Sequence, residues 1–255
     1  GLYRDVTLSL LSGRWGDSGG RRSLNVEAPP DPRARLRMLS RVVGGLTTGW
    51  RARPEEYGRT EIEALLSRDI DFPSVSQSAS ARWAEHQRTL GKAPGQPPAS
   101  PVIWELIHDG LLVPSASSDG SPTLRFSHFV FAELCIAYGL ALMPPEDALV
   151  ALEQHRYFDD EWTEIIPMVC GLTVDPAPLF DALTPNENDP WALQAVLLAR
   201  CMSEAPLQVA KHQAVDLVGR LLERLESSLQ PDHQRVLAAV ETLISADVTG
   251  VRAAV

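Results

Sequence analysis

The sequence predicts a mainly α-helical protein carrying one β-hairpin, on three observations. Apolar residues recur at helical spacing through most of the 255 residues. Asp-Pro, Ser-Pro and Pro-Pro steps recur at intervals and mark helix starts. Only one place, Ser117-Ser118-Asp119-Gly120-Ser121 between two short apolar runs, has the chemistry of a tight turn joining two strands.

The elements follow in order. Val6, Leu8, Leu10, Leu11 and Trp15 form an amphipathic opening segment that stops at Gly16-Asp17-Ser18-Gly19-Gly20. A polar linker runs from there to Pro29-Pro30. A helix over 32–48 follows, with Pro32 in its first turn and Leu36, Leu39, Val42, Val43 and Leu46 on one face. Shorter helices are expected over 59–68 and 76–90. Four prolines between Ala93 and Pro101 force an extended loop. Ser100 then caps a helix that ends at Gly110. Leu111-Leu112-Val113 and Leu124-Arg125-Phe126 supply the hairpin's strands. Helix, hairpin, helix after several short helices is the order of a winged-helix-like unit, placed at 29–143. The remainder, 144–255, reads as helices over 146–155, 159–171, 175–183, 189–204, 207–228 and 231–246. Short helices joined by brief loops predict an antiparallel, HEAT-like array, with an ordinary helical bundle as the alternative.

Charge and composition narrow the function. Residues 1–53 carry ten Arg against four acids, a net of +6, and the rest of the chain a net of −16. An acidic body is poorly matched to a phosphate backbone. No apolar run is long enough to span a bilayer, so no transmembrane helix and no membrane partner are expected, and three widely spaced cysteines point to a cytoplasmic protein with buried thiols. The N-terminus lacks an initiator Met and a secretory pattern, and reads as cut from something longer.

Searching for chemistry mostly eliminates it. Gly16-Asp17-Ser18-Gly19-Gly20 spells the surroundings of a trypsin-like nucleophile, but no His precedes Ser18. Gly91-Lys92 is followed by Ala93, and His86 stands where a phosphate loop needs its first Gly. The six histidines show no pair at four-residue helical spacing. Asp159, Asp160 and Glu161 are expected to cap a helix rather than hold a metal. Asn186-Glu187-Asn188-Asp189 lacks the Gly and distal Glu of a calcium loop. The helix before the hairpin, Val102 to Asp109, reads as acidic and apolar, which argues against a DNA-reading role. What stands out is Leu124-Arg125-Phe126-Ser127-His128-Phe129-Val130-Phe131-Ala132-Glu133, a histidine at the junction of strand and helix.

This segment resembles the region that follows the nucleotide-binding core in NACHT-type STAND ATPases, signalling ATPases of innate immunity and programmed cell death. The family pattern is a helix, a Gly-Leu-Leu strand, a wing, then Phe-x-His-x-x-Phe-x-Glu leading into a helix. Gly110-Leu111-Leu112, Phe126, His128, Phe131 and Glu133 match it; Leu134 stands where the family has Tyr. Leu2-Tyr3 with Trp15, and Trp162 to Ile166 with Gly171-Leu172, are similar to neighbouring family helices, so the resemblance spans about residues 1–172. It implies a regulatory fragment, not itself an enzyme, since the Walker motifs would lie upstream. ATP or ADP with Mg²⁺ is implied for the parent and no cofactor for this fragment. His128 would contact an ADP phosphate, with Phe126, Phe131 and Glu133 supporting the motif. The implied partners are an upstream nucleotide-binding domain in cis and an unidentified trigger on the helical array, in a parent able to oligomerise on activation. A helical-repeat interaction scaffold is the alternative, and a winged-helix DNA-binding regulator a more distant one.

Overall fold

The computed structural model describes residues 11, 31–47, 56–68, 72–92, 98, 100–155, 159, 162–185, 189, 192–227, 230–248 and 251. Among these it is mainly helical, with one small antiparallel sheet. Among the described residues no helix is long and apolar enough to cross a membrane. Two compact units are distinguished, Gly1–Gly139 and Leu140–Val255.

The first unit opens on α1, Pro32–Leu46, whose start is set chemically: Asp31 accepts the Arg33 N–H at 2.9 Å and Pro32 occupies the first turn. Its buried face carries Leu36, Leu39, Val42 and Val43, the expected stripe, together with the charged Arg35. Strand β1, Tyr57–Gly58, leads into α2, Arg59–Arg68, and then α3, Pro73–Thr89. The next helix, α4, Pro101–His108, is capped by Ser100, whose hydroxyl accepts the Ile103 N–H at 3.3 Å. It ends where Gly110 takes φ 77°, letting the Leu111 N–H reach back to the Leu106 carbonyl at 2.9 Å.

Strands β2, Leu112–Ala116, and β3, Pro122–Phe126, pair antiparallel, with Leu112 opposite Phe126 and Ala116 opposite Pro122. The turn between them is tied locally. Asp119 accepts the Ser121 N–H at 2.9 Å and the Ser117 hydroxyl, bonds that hold its carboxyl down at about 2, and Gly120 adopts φ 82°. The hairpin is not alone: β1 adds to the far side of β3, giving the order β1–β3–β2. Two residues are too few to show alternation, so the sequence carries no sign of this third strand. Pro114, which cannot donate to a ladder, sits on the edge strand β2. Helix α5, Phe129–Ala141, follows β3 and is apolar on nearly every face, with Val130, Leu134, Cys135, Ile136 and Ala137 all buried.

The second unit contains α6, Pro145–Glu153; α7, Ile165–Leu172; α8, Ala177–Leu183; α9, Leu193–Glu204; α10, Lys211–Ser227; and α11, Gln230–Ser245. Helix α9 is central, packing against α7, α8, α10 and α11. Its approach to α7 is close enough that a Cβ on Gly171 would lie 3.0 Å from the Glu204 Cβ and 3.2 Å from its carbonyl oxygen.

Several helices start later than the sequence predicts, among them the one expected from 207, which begins at Lys211, and two have a local cause. The helix expected from 159 begins at Ile165, because the Asp159 carboxylate binds His155 instead of capping. The helix expected from 189 begins at Leu193, behind Ala192 in the left-handed region at φ 53°. Asp189 still caps it: its two oxygens accept the N–H groups of Leu193, Gln194 and Ala195 at 2.9, 3.0 and 3.1 Å. An anion satisfying three orphan donors at a helix N-terminus is worth about 1–2 kcal/mol. Asp189→Ala is therefore expected to lower stability by that amount in urea unfolding, with Asp189→Asn recovering part of it. A change within about 0.5 kcal/mol, typical of an exposed surface substitution, would show the cap to be idle.

The opening segment is described only at Leu11, which is helical and buried. The Gly16–Gly20 run, the 29–30 linker end, the proline loop at 93–97 and 99, residues 160–161 and residues 186–188 lie outside the described residues.

Candidate functional site

The junction of β3 and α5 carries the residues the sequence singles out. His128 is exposed, in the two-residue step between strand and helix. Its Nδ1 accepts the Val130 N–H at 3.2 Å, satisfying one of the helix's orphan donors. The ring stacks on Phe129, centroids 4.5 Å apart and planes 29° off parallel, and meets Phe131 edge-on at 6.3 Å. A ring nitrogen that accepts a backbone N–H carries no proton, so the neutral imidazole is the Nε2–H tautomer. The outward nitrogen is thus a donor. Protonating the ring would convert Nδ1 to a donor as well and break the cap.

The other motif residues go elsewhere. Phe126 is half-buried, edge-on to Tyr57 at 5.9 Å, and lines an apolar pocket with Leu39, Val42, Leu106 and Leu112. Glu133 is buried in α5, 3% exposed. The structure therefore brings His128 and Phe131 together, while Phe126 belongs to the core beneath the sheet.

A second constellation was not foreseen. Arg35 on α1, Arg82 on α3, and Glu105 and Asp109 at the end of α4 form a buried cluster of two guanidiniums and two carboxylates. Arg35 Nη2 lies 2.6 Å from Glu105 Oε2 and 3.2 Å from Asp109 Oδ2. Arg82 Nη1 donates to Glu105 Oε1 at 2.5 Å, and Nη2 to Asp109 Oδ1 at 2.8 Å. Arg35 also donates to the Leu11 carbonyl. The side chains of Arg35 and Glu105 are fully buried, and those of Arg82 and Asp109 are 7% and 9% exposed. Burial alone would depress Arg82; the hydrogen bond and charge of Asp109, joined by Glu105, raise it above its ordinary value instead. Burial pushes the Glu105 carboxyl up, against the opposing pull of Arg35 and Arg82. One cue was present in the sequence: Arg35 falls in the same stripe as Leu39, Val42 and Val43, where a charge is out of place unless paired.

This cluster changes the reason for setting DNA aside. Both acids of α4 face inward and are matched by arginines, so the helix is not acidic at its surface. What it offers to solvent is Trp104, half-buried, and His108, exposed, with no Lys or Arg in Pro101–His108. Trp104 and His108 join Trp83 and His86 of α3 in a four-ring group at the surface.

In the second unit, His155 Nδ1 and Asp159 Oδ2 are 2.6 Å apart, and the His155 ring lies flat on Trp162, centroids 3.8 Å apart and planes 6° off parallel. Cys170 and Cys201 are buried neighbours on α7 and α9; burial, then the adjacent Cys170 thiol, pushes Cys201 well up. Cys135 is pushed up to about 12 by burial alone. Such thiols are weak nucleophiles. Among the described residues no set of three His, Cys, Asp or Glu is arranged to hold a metal ion. Comparison with family models, with curated proteins and with solved structures found no match to the chain.

Proposed function

We propose that the chain is a regulatory segment of a NACHT-type signalling ATPase, which holds an upstream nucleotide-binding core in its ADP-bound state. The first unit acts as a winged helix. Supporting this are a short strand ahead of the helices, the order β1–β3–β2, and a tied turn at the position of the wing. The second unit acts as a HEAT-like array that receives the trigger, a reading supported by α9 packing on both α7 and α11, its next-but-one neighbours. The parent binds ATP or ADP with Mg²⁺ upstream, works in the cytoplasm and oligomerises on activation. This segment restrains the core rather than hydrolysing nucleotide.

The observation that carries the reading is the geometry of His128. Its inner nitrogen is engaged by the Val130 N–H, which orients the ring and leaves an Nε2–H donor at an exposed rim. Among the described residues nothing pairs with that nitrogen. A phosphate oxygen is a strong acceptor for it. A hydrogen bond from this nitrogen to a charged acceptor is worth about 1.5–3 kcal/mol.

Capping and phosphate contact use different ring nitrogens, so they can be separated. In the complete protein, His128→Ala is expected to speed ADP release about 10- to 100-fold, 1.36 kcal/mol being one factor of ten, and to lower the melting temperature slightly. His128→Asn retains a capping acceptor at this position but lacks the reach of Nε2. It should release ADP as fast as the alanine variant while melting like the wild type. Wild-type ADP release from a folded His128→Asn protein would refute the assignment.

A further inference from the structure

We propose that the outer face of α1 is a docking surface for an acidic peptide segment that presents carboxylates at one-turn spacing to Arg33 and Arg37. The inference is independent of the nucleotide reading.

Helix α1 carries four arginines, Arg33, Arg35, Arg37 and Arg41, and neither Asp nor Glu among its 15 residues. Arg35 is buried and matched by Glu105 and Asp109. The other three are exposed. Positions i, i+4 and i+8 lie along one face of a helix, and successive side chains leave its axis about 6 Å apart. Among the described residues no ion pair engages Arg33 or Arg37. On the surface elsewhere Arg59, Arg88 and Arg200 are each paired with a glutamate. The acid that precedes the row, Asp31, turns its carboxylate to the backbone N–H of Arg33. Arg41 lies over the Phe72 ring, 5.3 Å from its centre, and extends the face without being needed for it.

Helix stability does not account for this row. Arg33 falls in the first turn, where the partial positive charge of the free N–H groups disfavours a cation, and no acid in that turn offsets it. Arg33 and Arg37 also repel each other as like charges at i, i+4. Carboxylates from outside relieve both penalties. A guanidinium donates two parallel N–H groups to one carboxylate, and a partner helix with Glu at every fourth position repeats the same 6 Å step, so the pairs form in register. The rest of the chain decides the class of partner. Residues 54–255 carry a net of −16, and charges more than about 8 Å away are screened at physiological salt. A short acidic segment therefore meets the row alone. A nucleic acid, with a charge every ~1.7 Å of duplex, runs past the row toward a chain whose remainder is acidic.

The probe is a fluorescein-labelled alanine-based peptide of about 20 residues, long enough to be helical, with Glu at every fourth position. Its anisotropy on titration with the full chain at low salt should saturate, and raising salt to about 0.15 M should weaken the binding. Arg33→Gln combined with Arg37→Gln should weaken it about 5- to 30-fold, the loss of two exposed bidentate pairs near the top of their range. Arg235→Gln, at an exposed arginine of the second unit, should leave it intact. A peptide of the same composition with its Glu residues in one block should bind less well, which separates spacing from net charge. If the double variant misfolds by circular dichroism, Arg37→Gln alone carries the test. Reversing both charges, Arg33→Glu with Arg37→Glu, should transfer binding to a peptide with Lys in place of Glu. Equal affinity of folded wild-type and double glutamine proteins, or of the spaced and blocked peptides, would overturn the surface. A DNA duplex of equal charge that binds more tightly than the peptide, and loses that advantage in the double variant, would give the row to nucleic acid and overturn the acidic partner.

Discussion

Glu105→Ala is expected to cost about 3–5 kcal/mol in the first unit, among the largest losses any single side chain there can produce. Glu105 is fully buried and faces both arginines, as does Asp109 at the cluster's less buried end. Its removal leaves Arg35 and Arg82 to share Asp109, two buried positive charges against one negative. Breaking a buried ion cluster in this way typically costs about 3–5 kcal/mol, because the remaining charge has neither water nor a partner. The same reasoning limits the claim. The intact cluster is costly to desolvate and is not thereby a net source of stability; replacing charges on both sides together should be far milder. Glu105→Leu combined with Arg82→Met therefore serves as the control. Hydrogen exchange of peptides from α1, α3 and α4 in the full chain would read the loss locally. A Glu105→Ala protein that keeps its protection within about 1 kcal/mol would mean that water or rearrangement screens the arginines.

The cluster also shows where sequence reasoning runs out. Periodicity placed α1 and α4, and the Ser100 cap and the first-turn Pro32 were visible as letters. Gly110 and the Asp119-Gly120 turn were legible because each demands a backbone or side-chain chemistry that few residues supply. Glu105 was legible only as a charge. Its partners lie 70 and 23 residues earlier, and nothing local says that it points inward. The same holds for His86 and His108, whose meeting is decided by the angle between two helices. His128 is the opposite case: its place at a strand-to-helix junction is local, and so was visible at once. Phe126 and Glu133 were grouped with it by pattern, but Glu133 is buried in a helix interior and Phe126, half-buried at a strand end, lines the apolar pocket.

Trp162→Ala is expected to cost about 3–5 kcal/mol in the second unit, the range for truncating a large aromatic in a core. The sequence places Trp162 and Ile166 on one face of a continuous helix. Both are indeed buried, each 1% exposed, but Trp162 stands in a short turn ahead of α7 and is held differently. One face of its indole is covered by the His155 ring at 3.8 Å, and His155 is itself held by Asp159. The backbone closes the same loop, with the Trp162 N–H bonded to the Asp159 carbonyl at 3.0 Å and the Thr163 hydroxyl to the same oxygen at 3.2 Å. Truncation opens a cavity and also uncovers His155, 7% exposed in the intact protein. Two effects should therefore separate. Trp162→Phe keeps an aromatic surface for His155 and should lose clearly less than the alanine variant, whereas His155→Ala should lose part of the same energy. The two alanine substitutions together should cost less than their sum, since each removes the other's partner. Denaturant unfolding followed by hydrogen exchange in α7 and α9 measures all three. A Trp162→Ala loss below about 1 kcal/mol would place this loop outside the core that α9 organises, and with it the start of the helical array.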